Sequence, residues 1–254
     1  MRPYVGLDLG TTKVVVAVAE PEEGGGLKLI GFGQAPSHGL RQGVVVNLEE
    51  TARSIRAAVA EAERMAGQPI RSAVVGIAGE HVRSVNSRGV IAVSRDGAEI
   101  GQDDIARVVE AARAVAIPGD RQVLHVIPQE YVVDDQAGIM NPVGMSGVRL
   151  EAEVHIVTGA VTSARNLDKA VQASGLRPER FVLEPLASAR AVLTEDERKL
   201  GCLMIDLGGG TTEHSLYYDG AIRHTAVIGL GGVNVTHDLA VGLHCPLEAA
   251  EELK

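Results

Sequence analysis

Two short stretches carry the residue types that hold a phosphate. One is Asp8-Leu9-Gly10-Thr11-Thr12-Lys13; the other is Asp206-Leu207-Gly208-Gly209-Gly210-Thr211-Thr212. In each, an apolar run ends in aspartate and passes through glycine into threonine. A turn between strands sets backbone N–H groups on one concave side, and Gly10 lets an anion approach them closely. The hydroxyls of Thr11 and Thr12 and the ammonium of Lys13 add donors for β- and γ-phosphates. Three glycines in a row, Gly208, Gly209 and Gly210, cost chain entropy that a plain turn avoids. With Thr211 and Thr212 they read as a second clamp. Asp8 and Asp206 would hold Mg2+ from opposite sides, through its waters, because Mg2+ dehydrates reluctantly. A metal–phosphate group needs partners on both walls of a cleft, so the pair of motifs says more than either one.

Two further stretches fit around such a group. In Glu184-Pro185-Leu186-Ala187-Ser188 a carboxylate stands at a helix start, where it can orient an attacking water. Proline at the first turn also favours helix entry for local reasons alone. Gly229-Leu230-Gly231-Gly232 precedes a helix expected from about 233, and the pair Gly231 and Gly232 can take a sugar or phosphate edge. The histidines lack the paired spacing of a metal set and read as surface or satisfied core residues. The Walker pattern and the Gly-X-Ser-X-Gly elbow are both absent.

The elements that must position these residues read as α/β. Strands are expected over 4–9, 28–33, 43–46 and 72–78, and a helix over 49–66 with Asn47 as its cap and Gly67 as its stop. Ala52, Ile55, Val59, Ala62 and Met65 recur at helical spacing and are expected to face the core. Val14 to 16 and Val44 to 46 read as strands buried on both faces. A strand over 84–94, a helix over 102–116, a strand over 121–133 and a loop over 138–147 suggest a small inserted α+β subdomain, 83–150. A strand over 153–158, a helix to 174 capped by Thr162, a short strand over 181–184 and a helix over 185–193 follow. The two Asp-Leu-Gly motifs lie 198 residues apart. That spacing fits a duplicated domain with a similar hairpin opening each copy. The last residues, with Leu247, Ala250 and Leu253 at helical spacing, read as a helix cut short, so the second half-domain is expected to be incomplete.

Composition narrows the class. The chain has 254 residues, a net charge of −9, no Trp, two Phe and four Tyr. The core must come from Val, Ile, Leu and Ala, and the acidic balance argues against nucleic acid as the main partner. Cys202 and Cys245 lack metal spacing, which suits a reducing, cytoplasmic compartment. A strand begins at Tyr4, with no signal peptide visible ahead of it.

The motifs resemble the superfamily of actin, sugar kinases and the large heat-shock chaperones, with its ribonuclease H-like actin fold. Within it, the residues look most like the FtsA family of bacterial cell-division proteins. The phrases that carry this are Gly6-Leu-Asp-Leu-Gly-Thr-Thr-Lys13, Gly39-Leu-Arg-Gln-Gly-Val-Val-Val46, Val75-Gly-Ile-Ala-Gly79, His125-Val-Ile-Pro-Gln-Glu130, Pro142-Val-Gly-Met-Ser-Gly-Val-Arg-Leu150 and Leu183-Glu-Pro-Leu-Ala-Ser188. Glu213-His214 stands where that family usually has Asp and an apolar residue. The resemblance implies subdomain 1A at 1–82 and 151–193, an inserted 1C at 83–150, the start of 2A at 194–232 and of 2B at 233–254. It implies ATP with Mg2+ as ligand, self-association into filaments, and binding to the tail of FtsZ. It also implies contacts to later division proteins through 1C, and docking on the cytoplasmic face of the membrane through a helix beyond these residues. A pilus-assembly adaptor and a small-molecule kinase of the same superfamily are the alternatives.

Overall fold

Alternating apolar residues build the first hairpin. β1 (Tyr4–Leu9) turns back into β2 (Lys13–Pro21), which pairs with β3 (Leu27–Pro36), giving three antiparallel strands. Leu7, Leu9, Val14, Val16 and Val18 fall on one face and are buried, as period two requires. The computed structural model describes residues 3–93 and 99–254. A two-residue hairpin, β4 (Leu40–Arg41) and β5 (Val44–Val45), leads into α1 (Leu48–Ala66). Asn47 accepts from the N–H groups of Glu49 and Glu50, and Gly67 closes the helix in the left-handed region. The expectation of a strand at 44–46 buried on both faces is corrected: β5 stops at Val45 and Val46 is 66% exposed.

α1 lies on β3, where Gly31 and Gly33 let it approach. A Cβ on Gly33 would stand 2.0 Å from the Ala58 carbonyl oxygen. This contact turns the helix so that Ala58 joins Ile55 and Ala62 in the core, while Met65, expected inward, is 61% exposed. β6 (Ser72–Ile77) then runs parallel to β1.

The insert comes next: β7 (Arg83–Ala92), α2 (Gln102–Arg113), β8 (Arg121–Val133), β9 (Gln136–Ile139) and β10 (Arg149–Ala160). Its antiparallel sheet has the order β7-β10-β8-β9. Val108 and Ala112 of α2 pack with Tyr131, Leu150, Val154 and Ile156 in a core of its own. The helix ends at Arg113 rather than 116, β9 forms inside a stretch read as loop, and position 94 lies outside the described residues. β10 is longer than expected, and the boundary set at 150 falls within it.

α3 (Val161–Ala173) and β11 (Arg177–Leu183) return to the first body and complete its sheet, β11-β6-β1-β2-β3. Thr162 is not the cap of α3: Ala160 holds that position and makes no side-chain bond. α1 and α3 cover one face of this sheet. α4 (Glu184–Val192) and α5 (Glu195–Leu200) lead to a second sheet, β12 (Cys202–Leu207), β13 (Thr212–Tyr218) and β14 (Ala221–Ile228), then α6 (Gly232–Leu243) and α7 (Leu247–Leu253). On α7 Ala250 is buried, while Leu247 and Leu253 are exposed. The two hairpins match. Leu9 pairs with Val14 and Leu207 with Thr212, so the loops are equally long and the offset of 198 holds through both turns. Thr11 and Thr12 therefore correspond in position to Gly209 and Gly210. Among the described residues no helix is long and apolar enough to cross a membrane.

Candidate functional site

The two hairpin loops touch. A Cβ on Gly209 would lie 2.5 Å from Thr12 Cγ2, and one on Gly210 2.6 Å from Thr11 Oγ1. The threonines of one loop fill the notch left by the glycines of the other, so any side chain at 209 or 210 would push the two bodies apart. Among the described residues, the amide N–H groups of Thr11, Thr12, Gly209 and Gly210 have no acceptor within the protein. Four unpaired donors thus collect where the loops meet, an arrangement suited to an anion.

Beside them lies a cleft of about 970 Å3. Of the residues selected from sequence, Asp8, Gly10, Thr12, Lys13, Glu184, Asp206, Gly208, Gly209, Thr211 and Gly232 line it. The other four stand behind. Thr11 and Gly210 press on each other, Thr212 Oγ1 donates to the Leu230 carbonyl at 2.7 Å, and the Gly231 N–H donates to Asn234 Oδ1 at 2.9 Å. The entrance of α6 is already bonded, for the N–H groups of Gly232 and Val233 donate to the carbonyls of Gly208 and Gly209 at 2.9 and 2.8 Å. A Cβ on Gly231 would be 2.6 Å from the Gly208 oxygen. What the glycine pair provides here is the close seat of α6 on the second loop.

Four carboxylates converge on the cleft. Asp8 and Asp206 stand one residue before the ends of β1 and β12, on opposite walls. Ser188, one turn along α4 from Glu184, donates to Asp206 Oδ2 at 3.1 Å and ties the helix of the first body to the strand of the second. Glu184 lies over Gly76, where a Cβ would be 2.8 Å from its Oε1. Burial, then Asp8, Glu213 and Asp206, push the Glu184 carboxyl well above its ordinary range. Burial and then Asp206 raise Asp8, against the pull of Lys13. Glu213 is 3% exposed, and its Oε1 has no partner. Burial raises its pKa, a hydrogen bond from the Thr211 side chain opposes this, and Asp206 and Asp8 add to the rise. Like charges so placed favour proton or cation uptake.

Sequence reasoning missed several residues here. Glu213 was noted only as a departure from the family pattern, and Ser188 only as part of a phrase. Glu251 and Lys254 also line the cleft. Lys254 Nζ donates to the Glu251 carboxylate at 2.8 Å, to Thr236 Oγ1 at 3.0 Å and to the Gly232 carbonyl at 3.3 Å. Their spacing of three on a helix was the available signal. Beyond the loops the cleft floor is apolar, with Val15, Ala17, Val74, Val182, Ala187 and Ala191.

The donor set suits a magnesium nucleotide: unpaired amides and Lys13 for phosphates, carboxylates on both walls for a hydrated cation. Among the described residues no three His, Cys, Asp or Glu side chains are disposed to grip a metal directly, and water-mediated binding is the habit of Mg2+.

A family model described as the SHS2 domain inserted in FtsA matches residues 79–158, and one described as cell division protein FtsA matches 203–254. The cell division protein FtsA of Pseudomonas aeruginosa is 54% identical over 253 residues, covering 100% of this chain and 60% of that protein. The chain belongs to the FtsA family. It spans about 60% of the length of that FtsA relative, and its insert is the SHS2 domain of the family. Among solved structures, the PilM-PilN type IV pilus biogenesis complex matches with a TM-score of 0.73 at 18% identity, over 99% of this chain and 68% of that one. MreB 5 of Spiroplasma citri bound to AMPPNP matches with a TM-score of 0.52 at 16% identity, over 100% of this chain and 62% of that one. At such identities the likeness speaks for the fold alone: this chain has an actin-like α/β fold with an inserted α+β domain.

Proposed function

We propose that this FtsA chain binds ATP with Mg2+ between its two hairpin loops and uses it as a conformational ligand in a cell-division scaffold. The observation that carries the reading is the meeting of the loops, with four unpaired amides beside four converging carboxylates. Asp8 and Asp206 would hold the hydrated cation from opposite walls, and Thr11, Thr12, Lys13, Gly209 and Gly210 would take the phosphates. Glu251 and Lys254 would face the sugar side. The cation supplies neutralisation of the phosphate charge. Glu184, with its carboxyl raised by burial and by its neighbours, is placed to hold a proton or a water beside them. A ligand touching both walls favours the closed arrangement through contacts that the open one lacks.

Family membership supports the wider reading: self-association into filaments, binding of the FtsZ tail, contacts of the insert with other division proteins, and attachment at the cytoplasmic face of the membrane. The first test is calorimetric titration with ATP, with and without Mg2+, of the parent and of Asp8→Asn and Asp206→Asn. We expect magnesium-dependent binding in the parent and loss of the magnesium dependence in both variants. Binding that ignores magnesium, or that both variants retain in full, would overturn the assignment of the two aspartates. Ser188→Ala should weaken magnesium-dependent binding about tenfold, the low end for one hydrogen bond to a charged group, and leave binding in chelator unchanged. Equal weakening in both conditions would show that Ser188 does not act through Asp206.

A further inference from the structure

The insert is fastened to both bodies. Its root belongs to the first. The Arg121 guanidinium donates to the His81 carbonyl at 2.8 Å and to Thr158 through both its carbonyl and its hydroxyl at 3.0 Å. Nearby, the Leu183 N–H of β11 donates to His125 Nε2 at 2.9 Å. Its flank meets the second body along β14, an edge strand of the three-stranded sheet.

There the insert caps the strand's free carbonyls with side chains. Ser84 Oγ donates to the Thr225 carbonyl at 2.8 Å, Asn86 Nδ2 to Arg223 at 3.0 Å, and Gln129 Nε2 to Ile222 at 2.6 Å. Because the Asn86 amide nitrogen points at β14, its Oδ1 faces His155 and accepts from Nδ1–H at 2.6 Å. That fixes the tautomer, and His155 Nε2 accepts from the Thr225 hydroxyl at 3.0 Å. Arg223 and Glu130 add an ion pair at 3.8 Å. β14 then runs on into Gly229, whose carbonyl accepts from Gln42 Nε2 at 2.6 Å, and into the glycines that seat α6 on the second loop.

A domain bound to two bodies resists their relative rotation. At β14 the apolar contacts are small, Ile127 beside the Ile222 cluster and Val227 beside Val82 and Val157, so the polar bonds carry much of the joint, and a contact of that kind yields first. We propose that the inserted domain is a strut that restrains rotation of the second body against the first, and that the polar seam along β14 is the joint that must part for the cleft to open. Any partner that grips the insert therefore acts on the cleft, and a cleft ligand acts on the insert to the same extent.

The test needs no nucleotide, so it stands whatever the cleft binds. Spin labels at Arg53 on α1 and Asp238 on α6, both exposed, with Cys202 and Cys245 changed to alanine, report the distance between the bodies. We expect one narrow distribution in the parent. In Asn86→Ala/Gln129→Ala we expect at least a doubling of its width. Ser84→Ala, which removes one bond of the seam, should give a smaller broadening. Protection of α2 amides from hydrogen exchange checks that the insert stays folded. If the double variant loses that protection, Ser84→Ala alone decides. An unchanged distribution in a variant whose insert is folded overturns the strut.

Discussion

Glu213→Gln is expected to raise the stability of the ligand-free chain at pH 8 by ~2 kcal/mol, about 4–8 °C in the unfolding midpoint for a chain of this size. The carboxylate is buried with Oε1 unpaired, and two aspartates face it. Glutamine keeps the shape and still accepts from Thr211, but it brings no charge. The pH dependence gives the sign. The folded chain raises the pKa of this group, so between the ordinary carboxylate range and the raised value it binds a proton that the unfolded chain has released. Stability contributed by the protonated group is then lost as pH rises through that window. The cost is larger at pH 8 than at pH 4, where the unfolded chain also holds most of the proton. Scanning calorimetry of parent and variant at the two pH values checks this. An equal gain at both would mean that packing rather than charge is responsible.

Acidification from about pH 6.5 to pH 4 is expected to remove ~3 kcal/mol of folding stability through His155, at the joint between the insert and β14. His155 is 1% exposed, and burial, with His224 beside it, lowers its pKa to about 4. The unfolded histidine titrates near 6.5. Between these values the unfolded chain binds the proton and the folded chain does not, so stability rises with pH across the window and is complete above it. Each pKa unit is worth 1.36 kcal/mol, and 2.5 units give the figure quoted. The groups facing His155 are Asn86, Thr225 and His224, with the Arg223–Glu130 pair next along the strand. His155→Gln, which cannot titrate, should flatten the pH dependence in this window relative to the parent. Urea unfolding at half-unit pH steps measures both slopes, and parallel slopes would rule the histidine out as their source.

Much of the site could be read before any fold was known. Asp8 and Asp206 lie at strand ends, and a strand followed by glycine is a local pattern that the chain reports wherever it is placed. The same holds for Asn47 and Gly67 at the ends of α1, whose bonds reach only two to four residues. Thr162 misled for a related reason. A capping residue type stood two positions too late, and the chain entered α3 directly from β10 without using it.

Where the outcome depended on contact between distant segments, local pattern was not enough. Met65 fits the apolar spacing of α1, but Gly31 and Gly33 of β3 brought Ala58 inward beside the expected Ala62 by letting backbone meet backbone there. The triple glycine was legible as a special loop. That its purpose includes receiving Thr11 and Thr12 depends on two hairpins 198 residues apart facing each other. The seam on β14 left no local trace, since Ser84, Asn86, Gln129 and His155 are ordinary polar residues until folding sets them against the carbonyls of one edge strand. Sequence alone determined the fold class, the duplicated hairpins and which residue types suited to phosphate and cation stand beside their turns, because these follow from short-range spacing. Only the tertiary structure decided which glycines are there for packing, which carboxylate is stranded and which strand joins the insert to the cleft, because each is set by the approach of segments far apart in the chain.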